Sequence, residues 1–173
     1  MSMRSKWAAV PGLLTIAATA ALLSAYSGAS SPQGRSPEQP IAFPHPMHAA
    51  GAMNMNCVYC HYTADKSPTA GLPAVSTCMG CHLLVRADRP EVQKIHQYSR
   101  EQTPIPWVRV HNLPDYVQFP HMRHVNAGVT CQTCHGPVQE MMRVYQAESL
   151  NMGWCVDCHI QRQVAYDCAV CHY

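Results

Sequence analysis

Residues 119–135 read FPHMRHVNAGVTCQTCH: two histidines three apart, His121 and His124, precede a Cys131-x-x-Cys134-His135 unit. The same design stands earlier, where residues 43–61 read FPHPMHAAGAMNMNCVYCH and place His45 and His48 ahead of Cys57, Cys60 and His61. Outward from these two stretches the Cys-x-x-Cys-His unit recurs at Cys78/Cys81/His82, Cys155/Cys158/His159 and Cys168/Cys171/His172. The five units use all ten cysteines of the 173-residue chain.

Cys-x-x-Cys-His is the attachment signature of a c-type haem. Its two thiols add to the porphyrin vinyl groups, and the histidine becomes one axial ligand of the iron. Two Cys-x-x-Cys pairs could instead make a zinc ribbon, but five would leave an odd one, and zinc gives no reason for a histidine after every pair. A disulfide framework is equally indifferent to the residue that follows. Five covalently bound haem c groups account for every cysteine, so the fold expected is a multihaem cytochrome c. Its chain should be mostly irregular, with short α-helices wrapped around the haems. Fourteen prolines and only two phenylalanines agree with that: the porphyrins supply the apolar surface that the side chains lack.

Each iron needs a second axial ligand. Subtracting the five motif histidines from eleven leaves His45, His48, His96, His111, His121 and His124. The two FPHxxH pairs are the first candidates, because histidines at i and i+3 point in similar but diverging directions and can serve two different irons. His111 ends an extended segment over 104–111 and is the natural fifth. His96 falls on a helix expected over 88–100, beside Val92 and Ile95, where a lone histidine is more often packed than ligating. Methionine is the other possible ligand, with Met141, Met142 and Met152 near haem motifs; methionines at helical spacing more often fill gaps in a core. A second helix is expected over 138–150, from Val138, Met141, Met142 and Tyr145.

The chain divides in order. Residues 1–6 are a short basic end through Arg4 and Lys6, and residues 7–26 are uncharged and mostly apolar. Twenty residues at about 1.5 Å each match a bilayer core of roughly 30 Å, and Trp7 and Tyr26 sit where interfacial aromatics belong. A cleaved signal peptide shares the basic start; the length of the apolar run favours one retained N-terminal transmembrane helix. The basic end then stays in the cytoplasm, and the rest lies on the periplasmic side of the inner membrane. Residues 27–42 read as a flexible linker rich in proline, serine and glycine. Residues 43–173 form the pentahaem domain, with pseudo-repeats at 43–82 and 119–159 and the fifth motif at 168–172.

The formal charge of +2 includes Arg4 and Lys6, so the exported part carries ten basic and ten acidic side chains. Haem propionates make the loaded domain acidic. Eight of the ten basic residues are arginines, suited to clamping propionates bidentately. Nothing in this balance points to nucleic acid.

FPHxxH ahead of Cys-x-x-Cys-His resembles the cytochrome c3/c7 class of small multihaem proteins with bis-histidine haems. A longer likeness covers the exported part: PIPWVRVHNLPDYVQFPHMRH at 104–124, VTCQTCHGPV at 129–138 and LNMGWCVDCH at 150–159 resemble the pentahaem cytochrome subunit of bacterial alternative complex III. That resemblance implies an electron-transfer subunit, not itself catalytic, in a membrane-bound quinol:acceptor oxidoreductase of a respiratory or photosynthetic chain. Its partners would be an iron–sulfur subunit and quinol-binding integral membrane subunits. A monohaem cytochrome c or a copper protein would accept the electrons. By the same resemblance His111, His121 and His124 carry over as distal ligands, and His45 and His48 match the first FPHxxH; His96 matches no family position. A stand-alone membrane-anchored quinol dehydrogenase feeding a periplasmic reductase is the alternative, weakened because Cys57 lies far beyond the apolar segment. A multihaem reductase would need an iron lacking its distal ligand, whereas spare histidines outnumber irons.

Overall fold

The computed structural model describes residues 9–26 and 32–173. The basic end, Trp7 and residues 27–31 of the expected linker lie outside the described residues. The elements in order are α1 Ala9–Tyr26, α2 Pro46–Ala49, α3 Cys57–Cys60, α4 Val75–His82 and α5 Pro90–Glu101. There follow α6 His121–Asn126, α7 Cys131–His135, a 3-10 turn Val138–Glu140, α8 Met152–Gln161 and α9 Cys168–Cys171. No strand occurs among the described residues. The irregular chain with short helices is therefore as expected.

The transmembrane helix is not. Among the described residues no helix is long and apolar enough to cross a membrane. The eighteen residues of α1 rise about 27 Å, short of a hydrocarbon layer of roughly 30 Å.

The helix expected over 88–100 is α5. Pro90 occupies its first turn, Gln102 closes it in the left-handed conformation, and Val92 and Ile95 are its buried face. Ile95 joins Ile41 and Ile105 in the core cluster, with Val75, Cys78, Met79, Tyr98 and Trp107 packed around them. Besides these three, only Ala64, Val92 and Met141 are buried apolar residues among those described. A core of that size cannot hold the chain together through side chains alone.

Two expectations need correction. Residues 138–150 are not a helix beyond the 3-10 turn Val138–Glu140. The backbone of this stretch bonds to the incoming chain instead of to itself: Gln146 N donates to Arg35 O at 3.0 Å, and Gly34 N donates to Gln146 O at 2.7 Å. Met141 and Gln146 are buried while Met142 is exposed, a pattern set by this pairing. Upstream, Gly136 (φ +69°) turns where an added Cβ would stand 2.5 Å from the Ala147 Cβ, a position only glycine fills without displacing the chain.

The same contacts correct the flexible linker over 32–42. Gln39 exchanges two hydrogen bonds of 2.9 Å with the Val108 backbone, Arg35 donates to Arg109 O at 2.5 Å, and Ala42 N donates to Glu91 at 2.7 Å. Ile41 is 3% exposed. Polar composition concealed a segment that hydrogen-bonds to the domain along its length.

Candidate haem sites

Each Cys-x-x-Cys pair lies on a helical turn: α3, the end of α4, α7, α8 and α9. Residues three apart share a helix face, so both thiols of a pair are presented to the same side. Asn56 and Asn151 begin two of these turns, accepting from Val58 N at 3.1 Å and Trp154 N at 2.8 Å as N-caps. None of the ten cysteines is joined to another in a disulfide. Among the described residues no three of His, Cys, Asp and Glu converge into a cage for a bare ion. Burial pushes the thiols of Cys60, Cys78, Cys131 and Cys155 up, and that of Cys134 to about 11. Sites that disfavour a thiolate suit a neutral thioether.

The histidines answer the same test. A ligating imidazole usually donates its second ring N–H to a carbonyl or carboxylate, which fixes the tautomer and the ring plane. Nδ1 of His61 meets Gly71 O at 2.8 Å, that of His82 meets Val85 O at 2.9 Å, and that of His159 meets Ala165 O at 2.6 Å. His172 Nδ1 meets Tyr116 O at 2.9 Å, and His121 Nδ1 meets Pro68 O at 2.8 Å. Each bond leaves Nε2 as the lone-pair nitrogen. In the FPHxxH pairs the second histidine uses the proline carbonyl: His48 meets Pro44 O at 3.3 Å and His124 meets Pro120 O at 3.0 Å.

The phenylalanine of each pair holds the rings. Phe43 stacks on His48 at 4.4 Å and meets His45 edge-on at 4.9 Å. Phe119 repeats this with His124 at 4.3 Å and His121 at 4.9 Å. Sequence reasoning singled out the histidines and passed over Phe and Pro, whose roles were signalled by their presence in both repeats.

Two imidazoles bound on opposite sides of one iron at about 2 Å each hold their ring centres roughly 6 Å apart. His48 and His82 stand 6.0 Å apart, His124 and His159 6.1 Å, and His121 and His135 6.3 Å. In each pair a proximal histidine faces a distal candidate at the separation one iron requires. His45 lies beside His61; burial, then His61 and His48, pushes its imidazole down to about 4. His135 is likewise driven to about 4 by burial, then by His111, His121 and His61. Both are neutral, the form that ligates.

The remaining two histidines differ. His111 packs edge-on against His135 at 4.3 Å, too close for two ligands across an iron, and its Nε2 is buried with no hydrogen-bond partner. His96 spends its Nε2 on His82 O at 2.8 Å, bracing the proximal histidine from behind. The ring packed on His172 is that of Tyr116, at 5.8 Å. Three arginines bond within the protein: Arg35 to the Arg109 and Val110 carbonyls, Arg109 to Asn112 at 3.3 Å and Arg143 to Glu38 at 3.6 Å.

Comparison with known proteins agrees with this chemistry. Residues 117–173 match the family described as cytochrome c7 and related cytochrome c. The chain is also 27% identical over 162 residues to the multiheme cytochrome c subunit of menaquinone reductase from Nitratidesulfovibrio vulgaris, an alignment covering 78% of this chain and 77% of that protein. The chain is thus a multihaem electron-transfer cytochrome carrying c-type haem.

Proposed function

We propose that this protein is the haem wire of a membrane-bound quinol:acceptor oxidoreductase resembling alternative complex III, with five haems, one on each Cys-x-x-Cys-His unit. The observation that carries the reading is the set of three facing imidazole pairs at 6.0–6.3 Å. Two strong axial ligands change little in geometry between oxidation states, which favours passing electrons over binding substrate. When bound, the haem irons supply one-electron redox chemistry; the chain's own residues hold it in place. Cys57, Cys60, Cys78, Cys81, Cys131, Cys134, Cys155, Cys158, Cys168 and Cys171 fix the porphyrins. His61, His82, His135, His159 and His172 are the proximal ligands; His48, His121 and His124 face three of them, and His45 is assigned to His61. His111, with an unpartnered buried Nε2, is the remaining histidine free to ligate.

The membrane setting belongs to the same proposal. The exposed Leu14, Ile16 and Leu22 of α1 are 66–71% accessible, and Thr15 and Thr19 bond their hydroxyls back to Gly12 O and Thr15 O, as a helix in lipid must do with its polar groups. We read residues 7–26 as an anchor in the inner membrane, with the haem domain outside. An iron–sulfur subunit and quinol-binding membrane subunits would be its partners, and a monohaem cytochrome c or a copper protein the acceptor.

The relative's name favours a second reading in which the same wire serves a complex that reduces quinone, so that electrons run toward the membrane. Purification from gently solubilised membranes separates the two. Co-purifying iron–sulfur and membrane subunits, with haems reduced by menaquinol, support the first. Haems reduced only by a soluble donor and reoxidised by menaquinone support the second. A lone protein that oxidises quinol unaided would replace both with an anchored quinol dehydrogenase.

A further inference from the structure

We infer that the five attachment motifs stand in single file in an order that is not that of the sequence: Cys78–His82, Cys57–His61, Cys131–His135, Cys155–His159, Cys168–His172. The inference rests on the haem reading above and deepens it. At the first junction, α2 and the residue before it carry both histidines of one FPHxxH: His48 faces His82 at 6.0 Å, while His45 lies beside His61. The two motifs they serve are therefore neighbours, and the Cys60 thiol adds to the upward push on Cys78.

The second junction skips a motif, and the backbone shows why. Helix α6 docks on the loop that follows the Cys57 motif: His121 N donates to Pro68 O at 3.0 Å, Met122 N to Ser67 O at 3.1 Å, and Asn126 Nδ2 to Asp65 O at 3.1 Å. The His121 ring that this dock positions lies parallel to His135, 10° apart. The exchange is reciprocal, because α2 packs on the 3-10 turn that follows the Cys131 motif. Each repeat thus lays its FPHxxH helix on the other repeat's first motif, an approximate two-fold arrangement. The first motifs meet in the middle, the Cys57 thiol adding to the upward push on Cys131, and the second motifs are pushed outward.

At the third junction His121 and His124, one turn apart on α6, face His135 and His159. Cys134 there lies beside Cys155 and Cys158. At the fourth, the Cys171 thiol adds to the upward push on Cys155. The last motif is tied to the strap entering α6 through Gln118 N to Cys171 O at 2.8 Å and His172 Nδ1 to Tyr116 O at 2.9 Å. Near the two terminal motifs of the file, Leu84, two residues after His82, is 85% exposed and Tyr173, next to His172, is 80% exposed.

The test uses the full-length, haem-loaded protein. Anomalous scattering at the iron edge in crystals would locate five irons, and the density around each would name its motif. The expected nearest neighbours are the pairs 82–61, 61–135, 135–159 and 159–172, written by proximal histidine. In solution, NMR-resolved redox titration of His48→Met should raise the midpoint at its own motif and shift the His61 haem more than any other. Five irons in sequence order, or a largest neighbour shift at the His135 haem, overturns the inference while leaving the haem reading intact. Motifs without iron overturn both.

Discussion

The imidazoles of His121 and His135 lie 6.3 Å apart with their planes within 10° of parallel, although His111 presses edge-on against the same His135 at 4.3 Å. One proximal histidine thus has two histidine neighbours, and only one stands where an iron would fit between. The Nδ1 bond of His121 to Pro68 O fixes which it is.

Replacing His121 with alanine should therefore convert one haem of five to a high-spin form, that on Cys131/Cys134, and leave the other four low-spin by EPR. His96→Ala should leave every haem low-spin, because Nε2 of His96 is spent on His82 O. Its cost should be that of one lost hydrogen bond, about 1 kcal/mol of stability. A high-spin signal in the His96 variant would make it a ligand after all.

Phe119→Leu keeps the apolar volume but removes the ring that stacks on His124 and abuts His121. Both ligands should remain bound while their planes turn. The EPR g-values of the haems on the Cys131 and Cys155 motifs should shift, with a stability loss of about 1 kcal/mol. Unchanged g-values would reduce Phe119 to packing.

Glu91 ties residues 40–42 to α5, accepting from Ala42 N at 2.7 Å and pairing with Lys94 at 2.7 Å. The hydrogen bond from Lys94 and then the Ala42 N–H hold its carboxyl below the usual range. A depressed folded-state value means that this stabilisation is complete above the ordinary carboxylate range and is lost as pH falls through the lowered value. Melting temperature measured against pH should decline more steeply on the acid side in wild type than in Glu91→Gln, and the two curves should converge at low pH. Parallel curves would mean that the contact contributes nothing.

A protein beginning at Pro32 should keep its haems and its fold, since residues 32–42 belong to the domain. One beginning at Phe43 loses the buried Ile41 and the Gln39–Val108 bonds. Its stability should fall by at least the about 2–5 kcal/mol typical of emptying such a site, read as a lowered denaturation midpoint at equal haem content. Equal midpoints would restore the linker reading of this segment.

Local chemistry was legible from the chain alone. The five Cys-x-x-Cys-His units are readable directly from the chain, because the haem attachment proposed for them needs residues adjacent in sequence. The helix at α5 was legible because Val92 and Ile95 repeat at helical spacing between Pro90 and Gln102. The same spacing misled at Val138, Met141, Met142 and Tyr145, where Gln146 bonds to Gly34 and Arg35 instead of completing a helix. Whatever joins distant residues was decided by tertiary structure. His48 meets His82, His121 meets His135, and α6 settles on the loop after Cys57–His61 because each repeat covers the other's first motif. No spacing rule encodes that choice: FPHxxH fixes that two imidazoles diverge, and only the packing of one repeat on the other fixes what they diverge toward.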